Sequence, residues 1–145
     1  MEERQNFEIL LVEDNPGDVL LTQEAFREGR LAHHLTSVPD ADEALLYLRH
    51  QGKYRGSPTP DVILLDLNLP KKHGRELLAE LKADPQMRFI PVIVLTTSDA
   101  DQDVLGAYEL HANCYLTKPI EVDEFIRKIR SLEDFWLSVV RLPAS

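Results

Sequence analysis

The chain has 145 residues, 43% of them hydrophobic and 28% charged, enough for one domain with a buried core and a solvated surface. Acidic residues outnumber basic ones by 25 to 16, and the formal net charge of -9 excludes the basic footprint of general nucleic-acid binding and docking on anionic membranes. With one cysteine, Cys114, a polar start through Met1–Asn6 and no apolar run near the roughly 20 residues of a membrane span, the composition points to a reducing, cytoplasmic setting.

The first apolar run, Phe7 to Val12, predicts a strand ending in Glu13-Asp14. Asp14-Asn15-Pro16 then read as a helix start, with a capping side chain and a proline in the first turn. Leu20, Leu21, Ala25 and Phe26 recur with helical period and predict that helix's apolar face. Leu35 to Val38 predicts a second strand, with His33-His34 in the connection before it. Asp40 can cap a helix in which Ala41, Ala44, Leu45 and Leu48 share a side. Gln51 to Pro60, with two glycines and two prolines, reads as a long internal loop.

Val62 to Leu67 predicts a third strand with Asp66 at its end, and Leu77, Leu78 and Leu81 a third helix. Val92 to Thr96 is the fourth strand. Ser98 or Asp99 can cap a fourth helix through Val104, Leu105, Ala107, Tyr108 and Leu110. Cys114 to Thr117 is the fifth strand, followed by Lys118-Pro119. In the last helix Val122, Phe125, Ile126, Ile129, Leu132 and Trp136 share one face. The apolar pattern continues through Phe135, Leu137, Val139, Val140 and Leu142 to Pro143, and a helix apolar on more than one side needs a second surface.

Strand then helix, five times over, predicts an α/β domain with a parallel sheet, helices on both faces and right-handed crossovers. The near-continuous Ile, Leu and Val runs suit strands buried on both sides. In such sheets sites form at the carboxyl ends of the strands. Those ends hold Glu13-Asp14, Asp66, Thr96 and Lys118, so three carboxylates, a hydroxyl and an ammonium are expected to converge. Three carboxylates at one edge repel unless a cation compensates, and Mg²⁺ (or Mn²⁺) takes such oxygen ligands. An aspartate there can attack a phosphoryl donor, while Lys118 and the Thr96 hydroxyl offset charge on the transferring group. Glu13-Asp14-Asn15-Pro16 is no glycine-rich dinucleotide turn, and there is no Walker sequence or Gly-x-Ser-x-Gly elbow. The five histidines do not cluster at metal-ligand spacing.

The segments "LLVEDNPGD", "DVILLDLNLPKKHG", "PVIVLTTS" and "NCYLTKPI", in order, resemble the receiver domain of two-component response regulators from about Phe7 to Leu132. The resemblance implies a flavodoxin-like, doubly wound (βα)5 fold with strand order 2-1-3-4-5. It implies Asp66 as phosphoacceptor, Asp14 as a direct Mg²⁺ ligand, Glu13 acting through bound water, and the Asn68 carbonyl on the metal. Thr96 and Lys118 would engage phosphoryl oxygens, Thr96 and Tyr115 would form the switch, and Lys118-Pro119 would be joined by a cis peptide. Lys72 and His73 depart from the Met and Asp often found there in the family. Asn68 and Ser98 occupy positions that tune attack by water.

On this reading residues 1–145 form one receiver unit, with a core over about 7–132, a helical extension over 133–145 and no output domain. The "LPKKHG" stretch, the Gln51 to Pro60 loop and the missing output domain resemble the small regulators that partner bacterial and cyanobacterial phytochrome kinases. The implied function is Mg²⁺-dependent phosphotransfer from a sensor histidine kinase, read out by protein contact, in a chain that is not a turnover enzyme. A homodimer through helix 4, strand 5 and helix 5 is implied, with Phe135, Trp136, Val139 and Val140 as interface candidates. Two alternatives stand beside it: a pseudo-receiver that binds without phosphotransfer, and a hydrolase or phosphatase on a similar fold. The full set Glu13, Asp14, Asp66, Thr96 and Lys118 argues against the first. The absence of a second aspartate after Asp66 argues against the second.

Overall fold

The computed structural model describes residues 7–29, 32–67, 69, 74–96 and 114–128, with the side chains of Thr96 and Cys114 excepted. Five strands, β1 (Phe7–Val12), β2 (His33–Val38), β3 (Val62–Asp66), β4 (Val92–Thr96) and β5 (Cys114–Thr117), form one parallel sheet in the order β2-β1-β3-β4-β5. Helices α1 (Pro16–Glu28), α2 (Ala41–Leu48) and α3 (Gly74–Ala83) alternate with them, and a further helix is described over 122–128. This is the flavodoxin-like doubly wound topology.

The pleat sends successive side chains to opposite faces and so divides the core in two. Leu10, Val12, Ile63, Leu65, Val92 and Val94 meet α2 and α3 on one side. Ile9, Leu11, Val62, Leu64, Ile93, Leu95 and Leu116 meet Phe26 of α1 and Val122 and Phe125 on the other. Phe26 and Phe125 pack edge to face with centroids 4.8 Å apart. A Cβ on Gly29 would stand 2.6 Å from Val122, so the end of α1 approaches the helix over 122–128 too closely for any side chain there.

Two expectations are corrected. Leu20 and Leu21 do not face the core; they are 55% and 59% exposed, and Thr22 and Phe26 are buried with Val19 and Ala25 beside them. The apolar stripe lies one step round the helix from the leucine pair, because Thr22 continues the Val19–Phe26 side. His33 and His34 are not in a connection: they open β2, paired with Phe7 and Glu8 of β1. The His33 ring tilts against Phe26 at 5.3 Å, and His34 Nδ1 lies 3.0 Å from Glu8 Oε1. An edge strand with one covered face tolerates such residues, which an apolar-run criterion passes over.

The Gln51 to Pro60 stretch contains a 3₁₀ turn, Gly52–Tyr54. It is fastened by Tyr54 packing against Tyr47 and by the Tyr54 hydroxyl donating to Glu43. The fourth predicted helix, Lys72, His73, Ser98 and the tail with Phe135, Trp136, Val139 and Val140 lie outside the described residues.

Candidate functional site

Register brings the site together. Val12 pairs with Leu65, so Glu13 emerges beside Asp66. Thr96 pairs with Thr117, so Lys118 leaves β5 at the same edge. Glu13 and Asp66 are 3% and 5% exposed, the only buried acidic residues among those described. Asp14 is exposed at the rim. One carboxylate oxygen from each of Glu13, Asp14 and Asp66 can lie within 4.8 Å of the others.

Lys118 reaches into this cluster from the cis Lys118–Pro119 turn. Its Nζ donates to Glu13 Oε1 at 2.7 Å, Asp18 Oδ2 at 3.0 Å and Asp66 Oδ2 at 3.1 Å. Burial alone would lower the lysine's affinity for its proton, but the bonds to Glu13 and Asp18 and the nearby charges carry it above the ordinary value, so Lys118 is charged. Glu13 is pushed up to about 7, first by burial; Lys118 opposes the shift and Asp66 adds to it. Lys118 thus brings one ammonium to four neighbouring carboxylates, those of Glu13, Asp14, Asp18 and Asp66. An all-oxygen set with residual negative charge fits a hard divalent cation, with Glu13, Asp14 and Asp66 as the residues that would hold it.

The start of α1 frames the cluster. Asn15 is the N-cap, its side chain accepting from the Asp18 N–H at 3.0 Å, with Pro16 in the first turn. The Asn15 N–H donates in turn to Glu13 Oε2 at 3.2 Å. On the opposite side, α3 begins hard against β3. A Cβ on Gly74 would lie 2.6 Å from the Asp66 carbonyl oxygen and 2.7 Å from Leu67 Cα, and the Gly74 N–H donates to Leu67 O at 2.9 Å. Glycine at this position lets α3 seat the Asp66 backbone.

Glu13, Asp14, Asp66 and Lys118, singled out in the sequence, are thus brought to one edge. The Thr96 backbone ends β4 there, its side chain being outside the described residues, as is Asn68. Tyr115 stands apart on β5, 36% exposed. Lys128 Nζ donates to its carbonyl at 2.5 Å and lies 4.7 Å from its ring centroid. Sequence reasoning missed Asp18 and Gly74. An acid in the first helical turn normally reads as a complement to the helix dipole, and a glycine needed for close approach has no local signature.

The described chain offers a buried carboxylate, an ammonium bonded to it and an oxygen-ligand cluster. Residues 9–130 match the response regulator receiver domain family. The chain is 49% identical over 137 residues to response regulator Rcp1 of Synechocystis sp., covering 94% of this chain and 93% of that protein. It superposes on the phosphorylated cyanobacterial phytochrome response regulator RcpA with a TM-score of 0.73 at 47% identity, covering 95% of this chain and 99% of that one. On the Mn²⁺-bound form of Rcp1 the TM-score is 0.72 at 49% identity, covering 94% and 99%.

Proposed function

The chain belongs to the response regulator receiver domain family, and from that membership we propose that it takes a phosphoryl group from a sensor histidine kinase onto Asp66. The observation that carries this reading is the Lys118 ammonium bonded to Asp66 inside a buried carboxylate cluster. A carboxylate oxygen of Asp66 attacks phosphorus on the kinase's phosphohistidine. The O–P bond forms as the P–N bond breaks, and that bond's electron pair leaves on the imidazole nitrogen. Lys118 donates to an oxygen of the transferring group and offsets the charge it brings.

Glu13, Asp14 and Asp66, with the Asn68 carbonyl, are the residues assigned to a divalent cation. When bound, that cation supplies further charge neutralisation for the transferring group. Mn²⁺ in the Rcp1 structure supports this choice of ion. Thr96 is assigned to the phosphoryl oxygens and, with Tyr115, to the conformational readout. The names of the relatives support a phytochrome as the kinase. The same reading has two copies pair through helix 4, strand 5 and helix 5, with the tail around Trp136 contributing. Among the described residues no helix is long and apolar enough to cross a membrane.

The test is incubation with Mg²⁺ and a small acyl phosphate, read by intact mass. One phosphate adduct is expected, absent in Asp66→Asn. No adduct on the wild type, or one that survives Asp66→Asn, overturns the assignment. Sustained phosphate release from unrelated phosphoesters would mark a hydrolase instead.

A further inference from the structure

Lys118 has three N–H donors and three carboxylate acceptors, and two of those acceptors belong to the site as the family resemblance describes it. The third, Asp18, does not. We propose that Asp18 is a positioning residue: with Glu13 it forms two fixed legs that aim the remaining N–H of Lys118 at Asp66, where the transferring group arrives. The proposal rests on Asp66 being the phosphoacceptor.

The local hydrogen bonding is what frees Asp18 for this role. In a capping box the N-cap N–H is taken by a Glu or Gln side chain three places further on. Here that N–H, on Asn15, is already taken by Glu13 Oε2. Asp18 keeps its own backbone N–H on the Asn15 side chain and turns its carboxylate to Lys118. Asn15 thereby ties down both legs, Glu13 through its N–H and Asp18 through its side-chain oxygen.

The three acceptors differ in what happens to them during transfer. Asp66 gives up its carboxylate charge as the acyl phosphate forms, so its hold on Lys118 weakens at the moment the lysine is needed. Glu13 and Asp18 do not react, so their acceptor oxygens stay on Lys118. With Asp18 removed, a long flexible side chain would be held by Glu13 alone, and a misplacement of about 1 Å is enough to slow a reaction by about a hundredfold. Asp18 is the most open of the three, its side chain 37% exposed against 2% for Glu13 and 7% for Asp66. It can therefore be replaced without opening the buried part of the site.

The experiment compares Asp18→Ala and Asp18→Asn with wild type in three measurements on the full chain. These are the phosphorylation rate at saturating small acyl phosphate with Mg²⁺, the affinity for beryllofluoride with Mg²⁺, and the affinity for Mn²⁺ alone. Asp18→Ala is expected to slow phosphorylation by about tenfold or more and to weaken beryllofluoride in parallel, while Mn²⁺ affinity stays within about threefold. Asp18→Asn, which keeps an acceptor oxygen, is expected to recover most of the rate. Loss of a helix-start contact would lower the melting temperature of both variants without separating anion from metal affinity. Wild-type rate and beryllofluoride affinity in Asp18→Ala overturn the proposal and leave Asp66 standing. So does a parallel loss of Mn²⁺ affinity in both variants. A wild type that takes neither phosphate nor beryllofluoride overturns the Asp66 assignment and this proposal together.

Discussion

Gly74→Ala tests whether the start of α3 sets the position of Asp66. The added methyl carbon would fall 2.6 Å from the Asp66 carbonyl oxygen and 2.7 Å from Leu67 Cα, where ordinary contact begins at 3.4 Å. Both opposing atoms are backbone, so no side chain can swing away. Either α3 slides outward or the β3 terminus shifts, by roughly 0.5–1 Å given the interpenetration. Sliding α3 would disturb Leu77, Leu78 and Leu81, all 0% exposed, at an overpacking cost of about 1–3 kcal/mol. Shifting β3 moves the nucleophile and would slow phosphorylation by about a hundredfold. Urea denaturation and phosphorylation by a small acyl phosphate, run on the same preparations, divide the strain between the two. A variant with wild-type stability and wild-type rate would refute the argument, because the strain must go somewhere.

Burial first, and Asp66 after it, hold Glu13 up at about 7, against 4.5 for a free glutamate, with Lys118 opposing. Between those values the folded chain keeps a proton that the unfolded chain has lost. The metal-free protein should therefore lose stability as pH rises through this window, by about 3 kcal/mol, and Glu13→Gln should flatten the slope in denaturation curves at several pH values. Mn²⁺ at a hundred times its dissociation constant should stabilise the fold by about 2.7 kcal/mol, and the shift should shrink in Asp14→Asn, which thermal melts with and without chelator will show. Phe125→Ala removes a 0%-exposed ring packed edge to face on Phe26 and should cost about 3–5 kcal/mol. Leu21→Ser, on the exposed side of α1, should change stability by no more than about 0.5 kcal/mol; a larger loss would restore the leucine pair to the core.

The strands were legible because burial on both faces leaves little but Ile, Leu and Val in β1, β3 and β4. The edge strand was harder: His33 and His34 belong to β2 through backbone pairing with β1, which side-chain hydrophobicity does not encode. Helix α1 was placed correctly but rotated in expectation, since a buried threonine, Thr22, carries its inner face while two leucines meet solvent. The charged residues at the strand ends could be read because one chemistry accounts for all of them at sister positions. Asp18 could not, because its partner stands 100 residues away and its local setting already explains an acid. Gly74 was hidden for a related reason: its role is a distance to another segment, and a residue with no side chain advertises none.

The pleat that splits the core also sorts what the chain can change. Continued past the strand ends, the alternation puts Glu13, Asp66 and Lys118 on the side of Ile9, Leu11, Leu64 and Leu116, the layer shared with α1 and Phe125. The α2 and α3 layer meets the chemistry mainly through the seat of Gly74 under Asp66. Half of the interior is therefore open to redesign or evolutionary drift so long as that seat is kept. The other half is tied, through Asn15 and Lys118, to the charges at the edge.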